Sequence, residues 1–159
     1  MFKISEMKRI AVFAGSFDPV TIGHESIVKR AIPLFDEIIV AIGVNTRKNS
    51  LYSQEQREEW LSLVFSGFPT VKVTSYKGLT IDYCKKAGAS YLLRGIRNSI
   101  DFEYEMGIAQ VNRDIYPDIE TVFLMTLPEH SHINASIVRE IIQSGGDASK
   151  YLPAKVTIK

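Results

Sequence analysis

The residues best suited to chemistry fall in four short stretches, and each suits a phosphate. The first reads Gly15-Ser16-Phe17-Asp18-Pro19 and continues, after Val20, as Thr21-Ile22-Gly23-His24. An apolar run over residues 10–14 feeds into it, and a helix-like pattern, Ile27, Val28 and Ala31, follows. A strand that enters a glycine-containing turn and then a helix gathers backbone N–H groups, the positive helix end and an imidazole at one point. Gly23 lets a ligand approach the backbone beside His24. A protonated His24 would bind a phosphoryl oxygen, and a neutral one would donate a single hydrogen bond. The Ser16 hydroxyl and N–H can both face the same point. The second stretch, Arg94-Gly95-Ile96-Arg97, sets two arginines around a glycine at a strand end, and guanidinium groups recognise phosphates bidentately. The third is a polar loop, Asn45-Thr46-Arg47-Lys48-Asn49-Ser50. The fourth, His130-Ser131-His132-Ile133-Asn134-Ala135-Ser136, leads into a helix-like segment whose N-terminal N–H groups favour an anion. His130 and His132 have no evident third ligand, so no metal site is assigned to the protein.

The elements that must position these stretches are legible in the apolar pattern. Strand-like runs cover residues 9–14, 37–44, 71–76, 91–94 and 121–125. Helical stretches lie near 24–34, 53–66, 79–87, 101–115 and 135–144, and Ser53-Gln54-Glu55-Gln56 reads as a capping box opening the second. Short apolar strands that do not alternate, separated by helices, indicate a parallel sheet covered on both faces. The expected fold is α/β: a single-domain, doubly wound, five-stranded parallel sheet. Ligands of such folds sit outside the carboxyl ends of the strands. All four stretches fall on that edge.

Composition bounds the function further. The chain has 159 residues, enough for one domain with a sizeable core, here placed at 8–159 after a short leader over 1–7. A formal net charge of +1 offers no basic excess for long nucleic acid. Small phosphorylated ligands need only a few local cations. The lone cysteine, Cys84, excludes an intramolecular disulfide and reads as a small core hydrophobe. No apolar run has the length of a membrane span, and the N-terminus lacks a signal-peptide core, so a cytoplasmic enzyme is expected.

Gly15-Ser16-Phe17-Asp18-Pro19 with Thr21-Ile22-Gly23-His24 resembles the nucleotidylyltransferase signature. The threonine version, together with Arg94-Gly95-Ile96-Arg97 and the Asp101-Phe102-Glu103-Tyr104-Glu105-Met106 that follows, is similar to the phosphopantetheine adenylyltransferase family. The resemblance implies transfer of the adenylyl group of ATP to 4′-phosphopantetheine, giving dephospho-coenzyme A and pyrophosphate. It implies His24, Lys48 and Arg97 as catalytic residues, with Arg47 a rival for Lys48. It places the acceptor on Ser16, Lys48, Thr80 and Arg94. Core packing competes with an acceptor role for neighbouring Leu79. ATP would meet Ser16, Phe17, His24, Gly95, Ile96, Arg97 and Glu105, and the stretch His130, Ser131, His132, Ile133, Asn134, Ala135 and Ser136. The family commonly has serines where this chain has Asn134 and Ala135, which shifts phosphate binding there toward backbone N–H groups. Asp18 reads as a cap rather than a base, because a phosphate monoester is already ionised near neutral pH. The resemblance also implies Mg²⁺ with ATP, a homohexamer and inhibition by coenzyme A. The alternatives are another small nucleotidylyltransferase, acting on nicotinamide mononucleotide or on an alcohol phosphate, and a nucleotide-binding regulator without turnover.

Overall fold

The computed structural model describes residues 7–45 and 49–158. Five strands, β1 (Ile10–Gly15), β2 (Glu37–Gly43), β3 (Val71–Tyr76), β4 (Tyr91–Ile96) and β5 (Glu120–Met125), form one sheet in the order β3-β2-β1-β4-β5. Every pairing is parallel. Between them run α1 (Ile22–Ala31), α2 (Gln54–Phe65), α3 (Thr80–Lys86), α4 (Ser99–Ile115) and, last, α5 (Ala135–Gln143).

The central strand explains why no alternation is visible in the sequence. Ala11 and Phe13 enter one core with Val28 of α1, Leu61 of α2 and Val138 of α5. Val12 and Ala14 enter the other, with Ile81 and Cys84 of α3. Both faces of β1 are buried, so every position is apolar. The thiol of Cys84 is fully enclosed, and burial pushes its pKa up to about 12, which leaves it an inert hydrophobe.

The chain winds from β1 through β2 to β3 and then returns to the far side of β1 with β4. The connections leaving β1 and β4 therefore diverge, and a crevice opens at their carboxyl ends. Two glycines let the elements close around it. A side chain at Gly95 would come within 3.2 Å of Ile27, so glycine allows α1 to lie tightly on β4. A side chain at Gly15 would come within 3.2 Å of the Phe17 ring.

The sequence expectations shift at the ends of elements. β4 continues to Ile96, so Arg94 and Gly95 lie inside the strand, paired with Phe123 and Leu124, and only Arg97 emerges from it. α4 begins at Ser99 because the Asn98 side chain accepts from the Asp101 N–H. Ser53 caps α2 by accepting from the Gln56 N–H, but the Gln56 amide donates to Glu59 instead of turning back. The complete capping box is at α1, between Thr21 and His24. Among the described residues, no helix is long and apolar enough to cross a membrane.

Candidate active site

The carboxyl ends of β1 and β4 open on a cleft of about 590 Å³. The loop after β1 supplies Ser16 and Phe17, and the start of α1 supplies Thr21, Gly23 and His24. Arg94 and Gly95 of β4, with Arg97 just beyond the strand, form its floor, while Ile100, Asp101, Tyr104 and Glu105 of α4 form one wall. His130, Ile133, Asn134 and Ala135, leading into α5, close the other side.

His24 is the third residue of α1, and Thr21 is its N-cap. The Thr21 N–H donates to Nδ1 of His24 at 3.0 Å, and the Thr21 hydroxyl accepts from the His24 N–H at 3.4 Å. A backbone N–H can only donate, so Nδ1 is an acceptor and a neutral ring carries its proton on Nε2. The ring packs edge-on against Phe17 and Phe13, with centroids 5.1 and 6.3 Å away. Burial first, then the nearby charges of Arg94 and Arg97, lower its pKa to about 4. The side chain is partly open to the cleft, where water moderates that depression. Of the two chemistries that the sequence left open, the structure selects the neutral imidazole donating one hydrogen bond.

This has a sign that can be measured. The folded pKa lies below the unfolded value near 6.5, so folding disfavours the proton. The group costs no stability above pH 6.5, and its penalty grows as pH falls from 6.5 toward 4. A proton NMR titration of the three histidines is expected to show His24 still neutral at pH 5.5. A His24 ring that titrates near 6.5 would remove this assignment.

Both arginines of the Arg94–Arg97 stretch are held by carboxylates of α4. Arg94 donates through Nε and Nη2 to Glu105, at 2.9 and 2.6 Å, and through Nη1 to the Ala14 carbonyl at 2.6 Å. Arg97 donates through Nε and Nη2 to Asp101, at 2.9 and 3.1 Å. The hydrogen bond from Arg97 holds the Asp101 carboxyl below its usual range. Each guanidinium is thus oriented bidentately and keeps N–H groups free for a ligand. Three chain segments therefore converge cations, a neutral imidazole and helix N-termini on one cleft, which is an environment for a polyphosphate.

Comparison with known proteins agrees with this arrangement. A model of the cytidylyltransferase-like family matches residues 12–141. A phosphopantetheine adenylyltransferase of Flavobacterium psychrophilum is 53% identical over 151 residues, which covers 95% of this chain and 99% of the relative. A phosphopantetheine adenylyltransferase of Leptospira biflexa is 46% identical over 92% of each chain. This chain belongs to the phosphopantetheine adenylyltransferase family. The solved structure of a putative nicotinate-nucleotide adenylyltransferase from Vibrio parahaemolyticus shares the fold, with a TM-score of 0.70 at 19% identity over 92% of this chain and 94% of the other. A bifunctional NMN adenylyltransferase/ADP ribose pyrophosphatase from Francisella tularensis does so with a TM-score of 0.72 at 19% identity, over 94% of this chain and 46% of the other.

The residues that the family resemblance singled out are not all in one place. Thr80 lines a second cleft of about 240 Å³, with Leu79, Ile81, Leu92 and residues of α4. Arg94 and Glu105 line both clefts and so join them. The Thr80 hydroxyl is 2.6 Å from that of Tyr76. Leu79 is 60% exposed, which excludes the core-packing reading for it. Ile96 is buried beneath the floor. Ser131, His132 and Ser136 stand outside the cleft lining: the Ser131 hydroxyl donates to the Pro128 carbonyl, His132 packs toward Tyr151, and the Ser136 hydroxyl accepts from Arg139. Asn134 caps α5 by accepting from the Ser136 N–H at 2.8 Å, which occupies one of the backbone donors expected to meet phosphate. Arg47 and Lys48 lie outside the described residues.

Other residues that build the site gave weaker signals. Asp18 is buried and accepts from the N–H groups of Leu51 and Tyr52, at 2.8 and 2.9 Å. It is a cap, but one that reaches across the sheet edge and ties down the segment following Lys48. Asp101 could have been found as an acid four residues after Arg97. Arg57 could not, since an arginine in a polar helix reads as solvated.

Proposed function

We propose that the 4′-phosphate of phosphopantetheine attacks the α-phosphorus of ATP in line in the larger cleft, releasing pyrophosphate and forming dephospho-coenzyme A. The observation that carries this is the convergence of Arg94, Arg97 and the Nε2–H of a neutral His24 on the larger cleft, which Arg94 joins to the second. No covalent nucleophile is needed. The acceptor is ionised already, so the protein acts by positioning and by charge stabilisation. His24 donates to the α-phosphoryl group, where charge develops. Arg97, at the end of β4, binds ATP. Arg94 binds the acceptor phosphate, and the pantetheine arm runs along Leu79 and Thr80 in the apolar second cleft. Ser16 and the Phe17 N–H contact the phosphates, and His130, Asn134 and Ala135 face the nucleotide. Lys48 bridges the acceptor and the α-phosphate. ATP enters as its Mg²⁺ complex. Asp101 and Glu105, the two carboxylates lining the cleft among the described residues, are engaged by arginines, so the ion rides on the phosphates and water. The face of α4 with Ile100, Ile108, Val111 and Ile115 at least 38% exposed suits the assembly of copies into the family's hexamer, with coenzyme A as inhibitor.

Pyrophosphate release that requires both ATP and 4′-phosphopantetheine is the test. Release with nicotinamide mononucleotide, but not with phosphopantetheine, would overturn the reading. Within it, Arg97→Ala is expected to weaken ATP about 10²-fold, as for the loss of charge-assisted hydrogen bonds of about 1.5–3 kcal/mol each. Isothermal titration with a non-hydrolysable ATP analogue reads that loss, and unchanged affinity removes Arg97 from the nucleotide.

A further inference from the structure

Beneath the loop between β1 and α1 lies an arginine without a carboxylate. Arg57 of α2 is 5% exposed, and none of the ion pairs among the described residues includes it. Its Nη1 donates to the Ser16 carbonyl at 2.8 Å, and its Nε donates to the Ser53 carbonyl at 3.2 Å. A buried charge is costly unless its hydrogen bonds are put to use. The use is visible in the loop. Phe17 has φ of +46°, a left-handed conformation that is strained for a residue with a side chain, and its ring is wedged against His24. The Phe17 N–H has no acceptor among the described residues, and Phe17 lines the cleft.

The N–H of Phe17 and the carbonyl of Ser16 belong to one peptide unit, and in a trans peptide they point in opposite directions. We propose that Arg57 is a positioning residue: by drawing the Ser16 carbonyl toward α2 it aims the Phe17 N–H into the cleft, at a phosphate of ATP. This rests on the nucleotide reading of the cleft. Arg139 takes a carbonyl two peptides further on, donating through Nη1 to that of Asp18 at 2.9 Å, although this peptide leads into Pro19 and has no N–H to aim. A loop that holds an anion must turn its carbonyl dipoles outward, and two guanidinium groups from different helices take them. A carbonyl left facing the cleft would repel the phosphates.

Two measurements separate the proposal from the reading beneath it. In the wild-type protein, titration with Mg²⁺ and α,β-methylene ATP is expected to move the Phe17 amide resonance among the most strongly shifted. A Phe17 amide that does not move overturns the loop reading and the proposal together. In Arg57→Met, kcat is expected to fall about 10–10²-fold, the scale for misplacing a contact by about 1 Å, and the Phe17 shift to shrink. A folded Arg57→Met protein with wild-type kcat, alongside a wild-type Phe17 amide that does shift, overturns the positioning role alone. Arg57→Lys decides the matter should the methionine variant not fold. Lysine keeps the buried charge but cannot bridge Ser16 and Ser53 at once, so an intermediate kcat and a partial Phe17 shift are expected. Wild-type values of both in the lysine variant overturn the proposal.

Discussion

Replacing His24 with glutamine is expected to leave the fold intact and to lower turnover about 10²–10³-fold, the usual effect of losing one preorganised donor at a developing charge. The two functions of the histidine can be taken apart because they use different nitrogens. Nδ1 closes the capping box by accepting from the Thr21 N–H, and Nε2–H faces the cleft. Glutamine at the same helix position is a normal partner in such a box, so its side-chain oxygen can replace Nδ1. Its amide NH2 can donate, but it has no ring packed on Phe13 and Phe17 to hold that donor where Nε2–H stands. Alanine loses both, and the cap costs it about 1 kcal/mol of stability in addition. The measurements are kcat from pyrophosphate release and the thermal midpoint for each variant. Alanine with near-wild-type kcat would remove His24 from the chemistry. Glutamine as unstable as alanine would remove the capping argument.

The same residue shows how far a sequence can be read. His24, Gly23 and Thr21 were legible as a phosphate-facing helix start, because the strand before them and the helix after them are continuous apolar patterns. The sheet was legible too, since a parallel sheet buried on both faces leaves unbroken runs such as residues 10–14. The protonation state of His24 was not. It depends on the Thr21 N–H, and on Phe13, Arg94 and Arg97, of which the last three are distant in sequence and adjacent only after folding. Pairing was hidden for the same reason. Arg94 and Glu105 are separated by a strand end and by a helix start that the sequence placed two residues late. Asp18 was recognised as a cap, but its partners at Leu51 and Tyr52 belong to another crossover. The serine-rich element was the least legible part, because Asn134 and Ala135 depart from the family pattern there. Asn134 turns out to spend its side chain on its own helix.

Replacing Arg94 with alanine is expected to weaken 4′-phosphopantetheine about 10²-fold, while ATP affinity changes much less. The bidentate hold of Glu105 leaves the free N–H groups of Arg94 at the joint of the two clefts, where the acceptor phosphate must meet the nucleotide. Two charge-assisted hydrogen bonds of about 1.5 kcal/mol each make up that loss. Stability falls as well. The Glu105 side chain is 12% exposed, and without Arg94 its carboxylate and the Ala14 carbonyl are both left without their donor, at a cost of about 2–3 kcal/mol. The two effects are separable in the double variant Arg94→Ala/Glu105→Ala. Removing the orphaned carboxylate restores part of the stability, whereas acceptor affinity stays low because no guanidinium returns. Calorimetric titration of each ligand, with thermal denaturation of both variants, reads the two quantities. Equal losses for ATP and for phosphopantetheine would show that Arg94 serves no single substrate. A double variant that regains acceptor affinity would show that the pair is structural, with the phosphate held by other residues.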